Sequence, residues 1–284
     1  MTAQIIDGKA VAAKIKEQLA EKVKAHCQGG NRPPCLAVIL VGSDPASQVY
    51  VNSKKKTCAA IGIDSRSLDL DGNVSQEELE KHLIAFNEDK DVDGILLQLP
   101  LPSHLNAERA IDLISPEKDV DGLTPTNQGL LIWKRPGLVS CTPYGIMELI
   151  KSTDVNPWGK RAAVIGRSVL VGAPVSNLLS NAGATVMCLN SKTVEPWELT
   201  KQADILVVAA GRHHLVDKNW IKPGAVVIDV GIHRIDGKLS GDVDFESAKE
   251  VAGHITPVPG GVGPMTIAML LSNCVTAYEK RLKL

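Results

Sequence analysis

The chain has 284 residues, with 31 Lys and Arg against 32 Asp and Glu, a formal net charge of −1. That length suits two medium domains, each able to bury a core, and so balanced a charge excludes the broad positive field that holds a protein on nucleic acid or an anionic membrane. Six cysteines are scattered without a CxxC pair, and no apolar run approaches membrane-spanning length, so we expect reduced thiols, no metal, small-molecule partners and a cytoplasmic location.

In chain order, Val11, Ala12, Ile15, Leu19 and Val23 recur at three-to-four spacing, which predicts an amphipathic helix over 8–27 ending at Gly29-Gly30. CLAVILVG (35–42) is apolar throughout and reads as a strand buried on both faces. A strand at 65–70, a helix opened by the capping box Ser75-Gln76-Glu77-Glu78, and a strand GILLQL at 94–99 follow. After the turn-rich stretch 115–143, TPYGIMELIKS (142–152) predicts a connecting helix. A second set of strands is expected at 161–166, 185–190, 204–210, 225–231 and 254–258, before a final amphipathic helix over 264–282. Alternation of this kind builds parallel sheets with helical crossovers. The expected architecture is therefore α/β: one domain over 1–140, to which a C-terminal helix over 267–284 returns, and a second over 141–266, with a cleft between them.

AAVIGRSVLVGAP (162–174) runs from a buried strand through Gly166 and a short loop to Gly172 and a helix, the layout of a Rossmann-like nucleotide-binding turn. The full GxGxxG is absent, so a ligand-free strand-to-helix turn explains the stretch equally well on local grounds. The next strand ends in Asn190-Ser191-Lys192, with no carboxylate to hold an adenosine 2′-hydroxyl, and Arg167 stands ready for a 2′-phosphate. These features favour NADP over NAD, with Glu195 close downstream as the opposing sign.

PVPGGVGPMT (257–266) places three prolines and three glycines between a strand and a helix. Such a segment is expected to bury nothing hydrophobic and to present its backbone to a flat ligand, or else to serve as a rigid connection. In QVYVNSKKKTC, Tyr50 and Lys54 share a helical face, whereas Lys55 and Lys56 each rotate away by about 100°. Lys54 is then either a chemical tool or one of three solvated charges. A Tyr/Lys pair at this spacing also marks short-chain dehydrogenases, but there it follows the glycine loop within one domain. Gln98 is read as a polar side chain inside a buried strand, needing a partner, and Asp119 and Asp121 lie in a turn that ordinary turn chemistry can explain.

Taken together, VGSDPASQVYVNSKKKTC (41–58), DGILLQLPLP (93–102), PEKDVDG (116–122), CTPYG (141–145), VIGRSVLVGAP (164–174), GDV (241–243) and ITPVPGGVGPMTIAML (255–270) resemble one family along essentially the whole chain, the bifunctional methylenetetrahydrofolate dehydrogenase/cyclohydrolases. The resemblance implies oxidation of 5,10-methylenetetrahydrofolate with NADP, then hydrolysis to 10-formyltetrahydrofolate, serving purine, methionine and histidine synthesis. It implies that Lys54 is the catalytic lysine, that Tyr50 lies against the pterin, that Gln98 adjusts the lysine and that Asp121 anchors the folate ring. Leu99 and the loop Pro259, Gly260, Gly261, Val262 and Gly263 would line the substrate. Gly166, Arg167, Ser168, Gly172, Ser191 and Ile232 would hold NADP, and a homodimer would form through the nucleotide domains. A carbonyl dehydrogenase of the short-chain type is disfavoured by motif order, and a catalytically silent NADP-binding regulator by the intact Tyr50, Lys54, Gln98 and Asp121.

Overall fold

A computed structural model describes residues 2–283. In chain order these form β1 (Gln4–Ile5), α1 (Gly8–Gln28), β2 (Cys35–Val41), α2 (Pro45–Ile61), β3 (Asp64–Leu70), α3 (Gln76–Glu88), β4 (Gly94–Leu97), α4 (Ala107–Asp112), α5 (Pro125–Ile132) and α6 (Cys141–Lys151). They continue with β5 (Arg161–Ile165), α7 (Gly172–Asn181), β6 (Thr185–Leu189), α8 (Pro196–Thr200), β7 (Ile205–Val208), β8 (Val226–Asp229), β9 (His233–Ile235), β10 (Lys238–Ser240), α9 (Phe245–Ala248), β11 (His254–Ile255) and α10 (Val262–Leu282). Two compact α/β units result: residues 2–13 with Thr142–Met269, and Lys14–Cys141 with 270–283.

The Lys14–Cys141 unit holds a three-stranded parallel sheet in the order β3-β2-β4. All seven residues of β2 are buried, as its unbroken apolar run requires of a central strand. A core of Ile39, Leu79, Leu83, Ile95 and Leu97 packs there. Asp44 caps α2 by accepting from Ser47 N at 2.8 Å, Pro45 occupies the first turn, and Gly62 closes the helix with φ 81°. Ser75 caps α3, accepting from Glu78 N at 3.1 Å.

The other unit contains a six-stranded parallel sheet, β1-β11-β8-β7-β5-β6. From β5 the chain moves outward to β6 and then back across to β7, so β5 and β7 flank the reversal of winding. Ligands of doubly wound sheets bind at the carboxyl ends of such strands.

Several boundaries differ from the sequence reading. Residues 2–13 cluster with the nucleotide-type unit because β1 pairs in parallel with β11. Helix α10 starts at Val262, two residues early, and its assignment passes from one unit to the other after Met269. Strand β11 stops at Ile255: Thr256 N still donates to Val227 O at 3.1 Å, but Pro257 has no N–H to continue the ladder. An antiparallel hairpin, β9 and β10, turns at Asp236-Gly237, both in the left-handed region. Asp-Gly is a strong hairpin signal that the sequence reading passed over.

Candidate functional site

In the sheet β3-β2-β4, Gln98 sits one residue beyond β4 and is half-buried, so it is not the mid-strand amide the sequence reading expected. Its N–H extends the ladder to Ile39 O at 2.9 Å, after which Pro100 ends the pairing. The side-chain amide thus lies at the carboxyl edge of the sheet. There Gln98 Oε1 accepts from Lys54 Nζ at 2.9 Å, while Gln98 Nε2 donates to Leu99 O at 2.6 Å. The second bond fixes which way the amide faces: its oxygen is presented to the amine.

Lys54 is only 8% exposed, whereas Lys56 is exposed and Lys55 half-buried. Burial pushes the Lys54 ammonium below its ordinary value, and the Asp121 charge pulls in the opposite direction. Asp121 is half-buried, and burial raises its carboxyl while Lys54 holds it down. The neighbouring Cys141 thiol is buried and donates to Val120 O at 3.2 Å. The neighbouring Asp119 behaves differently. Its oxygens accept from Leu123 N at 3.1 Å, Thr124 N at 2.8 Å and Asn127 Nδ2 at 2.9 Å, so it is occupied in shaping the turn into α5. Of the two acids that looked alike in sequence, only Asp121 is electrostatically coupled to Lys54. Tyr50 is 43% exposed one helical turn before Lys54, which leaves its ring available for stacking. Tyr50, Lys54, Gln98, Leu99 and Asp121 all belong to this unit.

The predicted loop 259–263 belongs to the other unit. Gly260 has φ 107°, and a Cβ at Gly261 would press on Pro257 O and Thr256, so internal packing accounts for glycine at these positions. Gly263, by contrast, faces open space. Val262 is 5% exposed, contrary to the expectation that the stretch buries nothing hydrophobic; the early start of α10 carries it into the core.

At the carboxyl ends of β5, β6 and β7 lies a cavity of about 400 Å³, lined among others by Gly166, Arg167, Ser168, Ser191, Thr193 and Arg212. Gly166 has φ 119°, and a Cβ on it would overlap Ala209 O. A Cβ on Gly172 would likewise overlap Gly166 O, so the two glycines allow the loop to fold tightly onto the strand end. No side chain caps α7 at Val171, and the positive end of its dipole faces this loop. Among the described residues no carboxylate lines the cavity, Glu195 being exposed outside its walls. Among the described residues neither Arg167 nor Arg212 pairs with an acid. Ile232 is 56% exposed and is not part of the lining. Arg212 and Thr193 escaped the sequence reading; a basic residue directly after the Ala-Ala-Gly end of a buried strand was the available signal for Arg212.

A model of the family described as "Tetrahydrofolate dehydrogenase/cyclohydrolase, catalytic domain" matches residues 6–121. One described as "Tetrahydrofolate dehydrogenase/cyclohydrolase, NAD(P)-binding domain" matches residues 140–282. Among solved structures, the chain is similar to the bifunctional enzyme FolD-methylenetetrahydrofolate dehydrogenase/cyclohydrolase of Campylobacter jejuni, with 47% identity, a TM-score of 0.96, and coverage of 98% of this chain and 99% of that one. A 5,10-methylenetetrahydrofolate dehydrogenase of the silkworm Bombyx mori matches at 41% identity and a TM-score of 0.94, covering 99% and 100% of the two chains. The methylenetetrahydrofolate dehydrogenase-cyclohydrolase of Trypanosoma brucei, complexed with NADP and an inhibitor, matches at 41% identity and a TM-score of 0.95, covering 100% of both.

Proposed function

The chain belongs to the tetrahydrofolate dehydrogenase/cyclohydrolase family, and from that membership we propose how its residues divide the work. It is an NADP-dependent 5,10-methylenetetrahydrofolate dehydrogenase and 5,10-methenyltetrahydrofolate cyclohydrolase. The observation that carries the assignment of roles is the buried Lys54 amine, bonded to Gln98 Oε1 at 2.9 Å and electrostatically coupled to Asp121.

The cavity residues fit NADP: among the described residues, two guanidinium groups without acidic partners, no carboxylate in the lining, and glycines where any Cβ would overlap backbone. Gly166, Arg167, Ser168, Ser191 and Arg212 would hold it, and Gly172 shapes the turn. Bound there, NADP supplies a hydride acceptor. The carbon to be oxidised lies between two nitrogens whose lone pairs stabilise the resulting cation, so that step needs no strong base. What the chain contributes to it is orientation of the folate. Asp121 accepts hydrogen bonds from the donor edge of the pterin, Tyr50 stacks on it, and Leu99 lines it.

Hydrolysis of the methenyl cation makes a different demand. Water adds to the cationic carbon while the neutral Lys54 amine takes one of its protons. When the carbon–N5 bond breaks, the lysine ammonium returns a proton to N5, and the new hydroxyl releases its own as the formyl group forms. The net products are 10-formyltetrahydrofolate and one proton. An amine whose pKa is lowered by burial can take and return a proton at lower pH than a solvated lysine. Gln98 aims the amine without adding negative charge, which would oppose that lowering.

The wider setting proposed is a cytoplasmic homodimer joined through its nucleotide units, supplying one-carbon groups to purine, methionine and histidine synthesis. Six free cysteines agree with a reducing compartment, and no helix among the described residues is long and apolar enough to cross a membrane. Titration of the purified protein with methylenetetrahydrofolate and NADP, following absorbance of the methenyl product and NADPH, should show both species, then decay of the methenyl signal. Formation of NADPH without that decay beyond the uncatalysed rate would remove the cyclohydrolase role.

A further inference from the structure

The geometry points to Asp242 as a positioning residue for NADP: from outside the cavity its carboxylate holds the loop 209–212, which forms part of the cavity wall. The inference rests on the NADP reading above and extends it to a residue that does not line the cavity.

Asp242 is 0% exposed. Its Oδ2 accepts from Ala210 N at 2.7 Å and from Gly211 N at 2.9 Å, while its Oδ1 meets His233 Nε2 at 2.7 Å. Ala209, Ala210 and Arg212 line the cavity, so the two backbone bonds act directly on its wall. The same loop is tied further along, where His214 N donates to Gly241 O at 3.3 Å and Val216 N to Asp242 O at 3.1 Å. Between these ties Arg212 projects a guanidinium that has no acidic partner among the described residues. With its backbone held on both sides, Arg212 keeps its place for a phosphate.

The clamp is itself supported from behind. Asp229, at the end of β8, accepts from Gly231 N at 2.9 Å, Asp242 N at 3.0 Å and Val243 N at 3.0 Å. A Cβ at Gly241 would overlap the Asp229 carboxylate, and one at Gly231 would overlap Asp242. The segment Gly241-Asp242-Val243, which the sequence marked without giving it a task, is therefore the base on which one wall of the cavity stands. Two backbone N–H groups sharing a buried, charged acceptor are held more firmly than by a neutral one, and removing that acceptor leaves both unpaired.

The test compares steady-state kinetics of Asp242→Ala and Asp242→Asn with the wild type, taking dehydrogenase rate against NADP concentration and, separately, hydrolysis of methenyltetrahydrofolate without NADP. A wild type that does not saturate with NADP refutes the cofactor reading itself. Given saturation, Asp242→Ala should raise the KM for NADP about tenfold or more, change kcat less, and leave the hydrolytic rate intact. Asp242→Asn keeps one acceptor oxygen for Ala210 and Gly211, and should recover much of the loss while still raising KM about threefold. An unchanged KM for NADP in a hydrolytically competent Ala variant overturns the inference, as does an equal loss of both activities. Should the Ala variant not fold, Asp242→Asn decides on the same readings, a wild-type KM counting against the role.

Discussion

Replacing Lys54 with Met removes the amine while keeping an unbranched side chain that can lie along the same buried path. The wild-type side chain is 8% exposed and its Nζ makes a 2.9 Å bond to Gln98 Oε1. Losing a hydrogen bond of this charged kind costs about 1.5–3 kcal/mol, but the substitution also relieves the burial of an ammonium group. The two effects oppose each other, so the net change in stability should stay within about 2 kcal/mol and the fold should persist. Catalysis has no such compensation: proton transfer by a positioned side chain contributes about 10²–10⁴-fold, or about 3–5 kcal/mol of barrier. Decay of methenyltetrahydrofolate absorbance should slow by that factor, while NADPH formation from methylenetetrahydrofolate continues. The pH behaviour follows from the same burial. Because the folded-state pKa of Lys54 is lowered, the folded protein binds fewer protons than the unfolded chain between that value and the ordinary lysine range. Stability from this site therefore rises with pH across that window and is lost as pH falls through the lowered pKa. The neutral amine, and with it cyclohydrolase activity, should appear at lower pH than for a solvated lysine. A folded Met variant that hydrolyses methenyltetrahydrofolate at the wild-type rate would refute the assignment.

Gln98→Glu should place a negative charge against the amine, raise the Lys54 pKa and move the rising limb of the cyclohydrolase pH profile to higher pH; an unmoved limb would separate Gln98 from the lysine's chemistry. For Asp121→Ala, both activities should fall together through weakened folate binding, measured by quenching or calorimetry, and unchanged folate affinity would contradict its role. Arg167→Ala should weaken NADP by about tenfold and NAD much less, read from the two KM values, whereas equal losses would deny it a contact with the 2′-phosphate.

How much of this was legible beforehand depended on how local each signal was. The buried run 35–41, the capped helix at Ser75 and the glycine turn 166–172 each state their structure within a few residues, because periodicity, capping and φ preference act over one or two turns of chain. The family resemblance was equally readable, being carried by contiguous motifs. Sequence could not tell Asp119 from Asp121: only the folded turn shows three N–H groups spent on the first and the second electrostatically coupled to Lys54. Nor could it show that Gln98 lies past its strand, since that depends on where Pro100 ends a ladder already paired to Ile39.

Residue order alone carried the longer helices and most of the strands, the parallel α/β class and the residue types that suit folate and NADP chemistry. The tertiary structure decided which of those residues meet. Lys54 and Gln98 are 44 positions apart and touch because α2 packs against the sheet in which β4 pairs with β2; Asp242 reaches Ala210 across 32 positions because the chain beyond β10 returns to the loop after β7. Strand register is set by the burial of whole sheet faces, a collective property with no counterpart in any short stretch of chain.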